Sequence, residues 1–423
     1  MSTISPFEPL VLTSPSSSLS FHLLPYGLIP HRLLLSKDGL IHDLLAGPED
    51  PADHHATGRC FFGPVIGRYA NRLEAGTCKY VGGQMHVPEW GGENLCLHGG
   101  PGAGPGGNAA AELPSIPADT TPLQRGPLDT LVWTPLSSPK LFSAPSDASA
   151  VVFGLLHGAS EDGPQGTLYF EVRFAVEGPT SVSLPSDVPA LGKSAGSVSI
   201  AYRAVHAPQA GEKECDITPL NLTHHWAFNL SASSPEAREQ EDGTIDAHTL
   251  RFFGPEIHTL DLDSRLVPTG KLLDCTKTPG ADFATKGPQG YGRKMGESAP
   301  QGGHDHWYGW GAGSRQGQLR ALLRAESTGI AVSFETDQSG TQLYGAVGQP
   351  HPPASLKAGG AKKLAHGGNG TEANAFCSAA FLEFAHPHST LNHDALRTFA
   401  GSDTTLKQGE TYANWTRAEV WIA

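Results

Sequence analysis

The sequence is short of the features that mark most familiar chemistries. Its six cysteines (Cys60, Cys78, Cys96, Cys215, Cys275 and Cys377) are scattered along 423 residues with no CxxC pair. That excludes a zinc ribbon or dithiol motif and reads as free, mostly structural thiols. No run of 18 apolar residues occurs, so no membrane span is expected. The N-terminal MSTISPFEPL has neither a basic n-region nor an apolar h-region, so no signal peptide is read and a cytoplasmic location is expected. Basic residues number 29 against 42 acidic ones, a net charge of −13. A nucleic-acid surface needs clustered positive charge, so a neutral or weakly polar substrate fits better. There is no G-x-S-x-G elbow for acyl transfer and no P-loop. Helical periodicity is scarce too, with only PEAREQEDG (235–243) reading as a short helix.

What is present points to β structure. Glycine (51) and proline (34) are abundant, which favours many turns over long helices. LYFEVRF (168–174), SVSIAYRAV (197–205), GIAVSFET (329–336) and SAAFLEFA (378–385) alternate apolar and polar residues with the period of two that marks strands. In the last of these, Phe381, Glu383 and Ala385 fall on one side and Leu382 and Phe384 on the other. Residues 99–127, 285–303 and 349–375 are rich in Gly, Pro and Ala. They read as flexible loop insertions, because such compositions bury too little apolar surface to offset chain entropy. The expectation is one mainly β domain over residues 1–423, a large antiparallel sandwich of two packed sheets carrying long loop insertions.

Histidine is frequent, at 20 copies, and clusters at His54-His55, His224-His225, His304-x-His306 and His386-x-His388. On a strand, residues i and i+2 share a face, so an HxH pair is able to chelate a metal. A metal hydrolase therefore stands as a rival reading, although no closed ligand set is evident. Further segments place Arg, His, Asp or Glu among strand and turn residues: GRYANRLEAG (67–76), ENLCLHGG (93–100), ITPLNLTHHWAFNLSAS (217–233), GGHDHWYGW (302–310) and FLEFAHPHSTLN (381–392). Trp226, Trp307 and Trp310 are either sugar-stacking platforms or core fillers.

In their order and spacing these segments resemble the aldose 1-epimerase (galactose mutarotase) family. GRYANRLEAG is similar to the family's G-R-Y-A-N-R and carries Arg72, and LCLHGG to its L-H-G-G with His98. GPLDTLVW (126–133) is similar to its G-F-D-K-x-x-W. NLTHHWAFNL is similar to N-L-T-N-H-x-Y-F-N-L, which puts His225 at the family's catalytic histidine. DSRLVPTGKLLD (263–274) and ADF (281–283) follow in order. GHDHW carries Asp305, ETDQSGTQLYG (335–345) has Ser339 where the family has proline, and FLEFAHP puts Glu383 at the catalytic glutamate. His224, Ala227 and Ala385 replace a usual Asn, Tyr and Gln and imply a reshaped pocket.

The resemblance implies a galactose mutarotase-like supersandwich with an open sugar cleft. It also implies general acid/base interconversion of the anomers of a free hexose such as glucose or galactose. Glu383 would be the base and His225 the acid. Arg72 and Asp305 would hold sugar hydroxyls, and His98 would stabilise charge near the reacting oxygens. No cofactor or metal is called for, and a monomer or weak dimer is expected. A hexose-6-phosphate 1-epimerase, drawing on Lys362-Lys363 or Arg293-Lys294 for the phosphate, and a non-catalytic carbohydrate-binding protein are the alternatives.

Overall fold

Strands of period two bury one face and leave the other to do something else, and this governs the computed structural model throughout. It describes residues 3–102, 113–159, 163–179, 184–298, 303–313, 317–345, 360–375 and 377–423. Residues 103–112, 299–302 and 349–359 of the three expected insertions lie outside the described residues. The alternating segments form strands Leu168–Glu177, Lys193–His206, Ile330–Thr336 and Ala380–Phe384, and Pro235–Gln240 forms the short helix. Ser234 caps that helix by accepting from the Ala237 amide, with proline at its first position. No helix among the described residues is long and apolar enough to cross a membrane.

Three sheets carry the architecture. The largest has ten strands, running from Leu123–Gln124 through Ala150–His157, Leu168–Glu177, Lys193–His206, Tyr412–Ile422, Ile330–Thr336, Ala321–Ala325 and Thr249–Phe252 to Arg293–Lys294, with Thr134–Pro135 paired alongside. All these pairings are antiparallel except that of the edge strand Leu123–Gln124. A six-stranded sheet orders Trp226–Phe228, Ala380–Phe384, Gly340–Tyr344, Asp305–Gly309, His258–Leu262 and Pro268–Asp274. A four-stranded N-terminal sheet spans Leu10–Asp43.

One core cluster joins all three sheets. Phe21 of the N-terminal sheet is stacked on Trp226 of the six-stranded sheet (6.1 Å between ring centroids) and lies 6.2 Å from Phe174 of the large sheet. Phe334 bridges Phe228 and Phe384 at 5.3 and 5.2 Å. In the six-stranded sheet, Trp226, Phe228, Tyr308, Leu343, Leu382 and Phe384 point into this core. By alternation, Ala227, Asp305, Trp307, Gln342, Tyr344, Phe381 and Glu383 point to the opposite face.

The insertions are less loop-like than their composition implies. Ile116 is fully buried against Leu24, Tyr26, Ile29 and Val132. Arg293–Lys294 adds an edge strand beside Thr249–Leu250, and Met295 is buried. Lys363 is wholly buried; its ammonium donates to the Asp43 carboxylate (2.8 Å) and to the carbonyls of Leu45 (2.7 Å) and His31. This buried ion pair, with the bond between His366 Nε2 and the Asp43 carbonyl, ties residues 360–375 to the N-terminal sheet, which composition alone does not reveal.

Burial also determines how stability responds to acid. It lowers the pKa of His54, His157, His224, His248 and His388 to about 3, and of His366 and His386 to about 4. These imidazoles stay neutral in the folded chain, whereas in the unfolded chain they protonate near 6.5. Between those values the unfolded state binds more protons. The stabilisation is therefore complete above pH 6.5 and is lost as pH falls toward 4, by up to about 1.4 kcal/mol per pH unit for each group. Urea unfolding midpoints are expected to fall steeply between pH 6.5 and 4.5; a flat profile over that range contradicts the burial assignments.

Candidate active site

The motif GRYANR forms the first wall. Asn71 adopts the left-handed conformation (φ 63°), which asparagine tolerates better than most residues. Its side-chain oxygen accepts from the Arg72 amide at 2.8 Å. Arg72 opens the strand Arg72–Glu74, which pairs with Leu95–Leu97 and so sets Arg72 opposite Leu97, next to His98. Two further bonds clip His98 in place: its amide donates to the Asn71 carbonyl, and its Nδ1 accepts from the Asn71 amide, both at 3.1 Å. The glycine after His98 is required by space, since a Cβ on Gly99 would lie 2.5 Å from the Gly67 carbonyl oxygen.

The outer face of the six-stranded sheet forms the second wall. Glu383 pairs in register with Gln342, and Asp305 with Tyr344. His225 is pinned by bonds from its amide to the Pro64 carbonyl and from the Gly63 amide to its own carbonyl, each 3.0 Å. The strand-borne Glu383 is not on a solvated face: it is 3% exposed, and His225 is 4%. His225 Nε2 lies 3.1 Å from Glu383 Oε1. The ring of His98 is 5.3 Å from that of His225 and nearly perpendicular to it. Phe381 and Phe61 flank His225 at 4.9 and 5.7 Å.

Arg72 and Asp305 meet in an ion pair at 3.0 Å, and the second carboxylate oxygen of Asp305 accepts from Gln342 Nε2 at 2.6 Å. The five residues anticipated from the sequence therefore gather in one place. Gln342 is not among them, although it lies within the ETDQSGTQLYG segment and pairs across the strands with Glu383. His388, read from the sequence only as half of an HxH pair, is buried, and neither ring nitrogen has a hydrogen-bond partner among the described residues. Arg72 helps keep its pKa low, after burial.

Several expectations are corrected. His224 does not shape the pocket; strand alternation turns it inward, where it bonds the Tyr202 hydroxyl and the Leu28 carbonyl. Ala227, by contrast, lies on the outer face with Glu383 and packs with Ala46, Ala379 and Phe381, the last of which flanks His225. Trp226, Trp307 and Trp310 are buried in core clusters, and Trp307 and Trp310 donate to the carbonyls of Ala385 and Gln338. Neither HxH pair assembles a metal cage: among the described residues the one close group of three ligand-type side chains is His98, His225 and Glu383.

That trio does not fit a metal well. Because His98 Nδ1 accepts from a backbone amide, the neutral ring carries its proton on Nε2. A ligating Nε2 would need a protonated Nδ1 facing the Asn71 N–H, donor against donor. Burial, then the neighbouring His225, Arg59 and Arg72, hold the His98 pKa well below its ordinary value. His98 is thus a fixed neutral donor. One atom on each central residue, His225 Nδ1 and Glu383 Oε2, is buried without a partner among the described residues. Such atoms cost on the order of 1–3 kcal/mol each, a cost that a hydroxyl-rich ligand would relieve.

A family model described as aldose 1-epimerase matches residues 205–419. The chain belongs to the aldose 1-epimerase family. Within the matched residues lie His225, Asp305, Gln342 and Glu383. Human galactose mutarotase is 27% identical over 284 residues, which are 67% of this chain and 62% of the human one, so the match spans less than two thirds of that relative. In fold, the chain is similar to the GalM/aldose epimerase homologue from C. elegans (TM-score 0.66, 19% identity, 98% of this chain and 99% of that one). It is also similar to galactose 1-epimerase from Lactobacillus acidophilus (TM-score 0.64, 17% identity, 98% and 94%). Arg72 and His98 lie outside the family-model match, and the fold brings them beside Asp305 and His225 within it.

Protein incubated with zinc and then desalted is expected to retain far less than one equivalent by elemental analysis, because His98 is a poor ligand in this tautomer. Stoichiometric zinc lost on substituting His98 would contradict that reading.

Proposed function

We propose that the protein interconverts the α and β anomers of a free hexose such as glucose or galactose, with Glu383 as base and His225 as acid. The observation that carries this reading is the buried His225–Glu383 pair, 3.1 Å apart, with an unpaired atom on each partner. Membership of the aldose 1-epimerase family supports an enzyme of this kind.

The chemistry follows from the groups present. Glu383 takes the proton of the C1 hydroxyl while His225 gives one to the ring oxygen as the C1–O5 bond breaks. The open aldehyde rotates about C1–C2 and recloses on its other face, with the two residues exchanging roles. No covalent intermediate is required. His98, holding a proton on Nε2, donates toward the oxygen that gains charge. Arg72, Asp305 and Gln342 form a linked set that presents charge-assisted bonds to the other hydroxyls. A phosphorylated hexose fits less well. The ammonium of Lys363 is spent on Asp43, and Arg293 pairs with Asp282 at 3.1 Å.

Polarimetry on freshly dissolved α-D-glucose and α-D-galactose tests the proposal. The wild type is expected to accelerate the approach to equilibrium, and Glu383→Gln and His225→Asn to lower kcat by about 10²–10⁴-fold while sugar binding by calorimetry persists. Saturable binding with no acceleration by the wild type would identify a binding protein instead.

A further inference from the structure

The segment between the helix Asp53–Ala56 and the strand Val65–Ile66 carries an arginine with no partner nearby in sequence and no place in the scheme above. Arg59 is almost wholly buried, its side chain 3% exposed, as is that of Asp129. The two form a bidentate pair, Nε to Oδ2 at 2.6 Å and Nη2 to Oδ1 at 2.8 Å. Asp129 lies in the GPLDTLVW segment, some 70 residues away in the chain. The remaining donors of Arg59 reach main-chain oxygens on the His98 loop: Nη2 to the His98 carbonyl at 3.0 Å and Nη1 to that of Gly100. The guanidinium face lies 4.2 Å from the Trp90 ring centre and 5.0 Å from that of Phe61. Phe61 in turn stands 4.7 Å from the His98 ring and 5.7 Å from the His225 ring.

A buried ion pair is a poor means of gaining stability, because desolvation cancels most of its attraction. Its value here lies in direction. His98 and Phe61 both hold the left-handed backbone conformation (φ 50° and 55°); histidine visits it more readily than most residues, but a bulky phenylalanine there is uncommon and needs support from its surroundings. Arg59 touches both, through the His98 carbonyl and the Phe61 ring. Its rigid planar fork, locked by Asp129, contacts them at fixed angles, which a lysine ammonium does not reproduce.

We propose that Arg59, clamped by Asp129, is a positioning residue that aims the His98 Nε2–H at the reacting oxygens and holds Phe61 as the apolar wall against His225. The inference rests on the mutarotase reading for its kinetic consequence, not for its geometry. It separates binding from turnover: Arg72, Asp305 and Gln342 do not touch the clamp, so sugar affinity is spared when the aim of His98 is lost.

The test uses the full-length chain with Arg59→Lys, Asp129→Asn and the double variant. Anomer exchange is followed by polarimetry, and the His98 imidazole by ¹H–¹⁵N correlation spectra. Arg59→Lys is expected to lower kcat on the order of 10–100-fold with KM changed less than about threefold. The His98 Nε2–H resonance is expected to shift or broaden, and the double variant to be no worse than Arg59→Lys. If Arg59→Lys does not fold, Asp129→Asn and Phe61→Leu carry the same kinetic and spectral expectations. Unchanged kcat with an unchanged His98 resonance overturns the proposal. So does a loss of rate that falls equally on kcat and KM, or that only tracks the unfolded fraction. A wild type that binds sugar without exchanging anomers overturns the mutarotase reading, and the His98 spectrum then decides the clamp by itself.

Discussion

Leu382 and Phe384 are held in the core against Phe334 and its neighbours, and because strand side chains alternate, this burial fixes where Glu383 points. Burying each large apolar side chain is worth about 1.5–3 kcal/mol, enough to keep a carboxylate on the far face of the same strand in a site where it is nearly cut off from water. The same constraint repeats across the sheet. Trp226 and Phe228 set the direction of the chain around His225, Leu343 sets that of Gln342, and Tyr308 that of its strand with Asp305. The apolar half of the six-stranded sheet thus builds the polar half.

What the sheet supplies is a set of acceptors and donors left incomplete. His225 Nδ1, Glu383 Oε2 and Gln342 Oε1 are buried without partners among the described residues. Proteins seldom keep such atoms without a reason. The second wall is made differently, from turns: Asn71 and His98 occupy left-handed positions and bond each other's main chain, with Arg59 and Asp129 behind them. One wall is rigid because it is a sheet. The other is rigid because a guanidinium and a carboxylate lock a pair of loops together.

Much of the fold was legible in the sequence because alternation is a local signal. The strands at 168–174, 197–205, 329–336 and 378–385 follow from period two alone, and the short helix read at 235–243 forms over Pro235–Gln240. The N-terminal four-stranded sheet was not read: its nine-residue strand Ile29–Lys37 has proline as its second residue and carries a run of three leucines in place of clean alternation, and its pairing partners are known only from the folded chain. At the site, the five candidate residues came from motifs in order, not from any property of each residue alone. Gln342 lies within ETDQSGTQLYG and His388 in the 386/388 histidine pair, but cross-strand register and burial, not the local pattern, bring them to the site; Arg59 depends on an aspartate far along the chain, which leaves no local mark. His224 was misassigned because adjacency to His225 in sequence means the opposite face on a strand. Lys363 was read into a loop because composition does not reveal a buried ion pair and the backbone oxygens that complete it.

The most direct measurement is a crystal structure with D-galactose bound. The pyranose is expected on the outer face of the six-stranded sheet, with the Glu383 carboxylate within hydrogen-bond distance of the C1 hydroxyl and the His225 imidazole within reach of the ring oxygen. A sugar bound elsewhere, or a metal ion seated between His98, His225 and Glu383, would contradict that expectation.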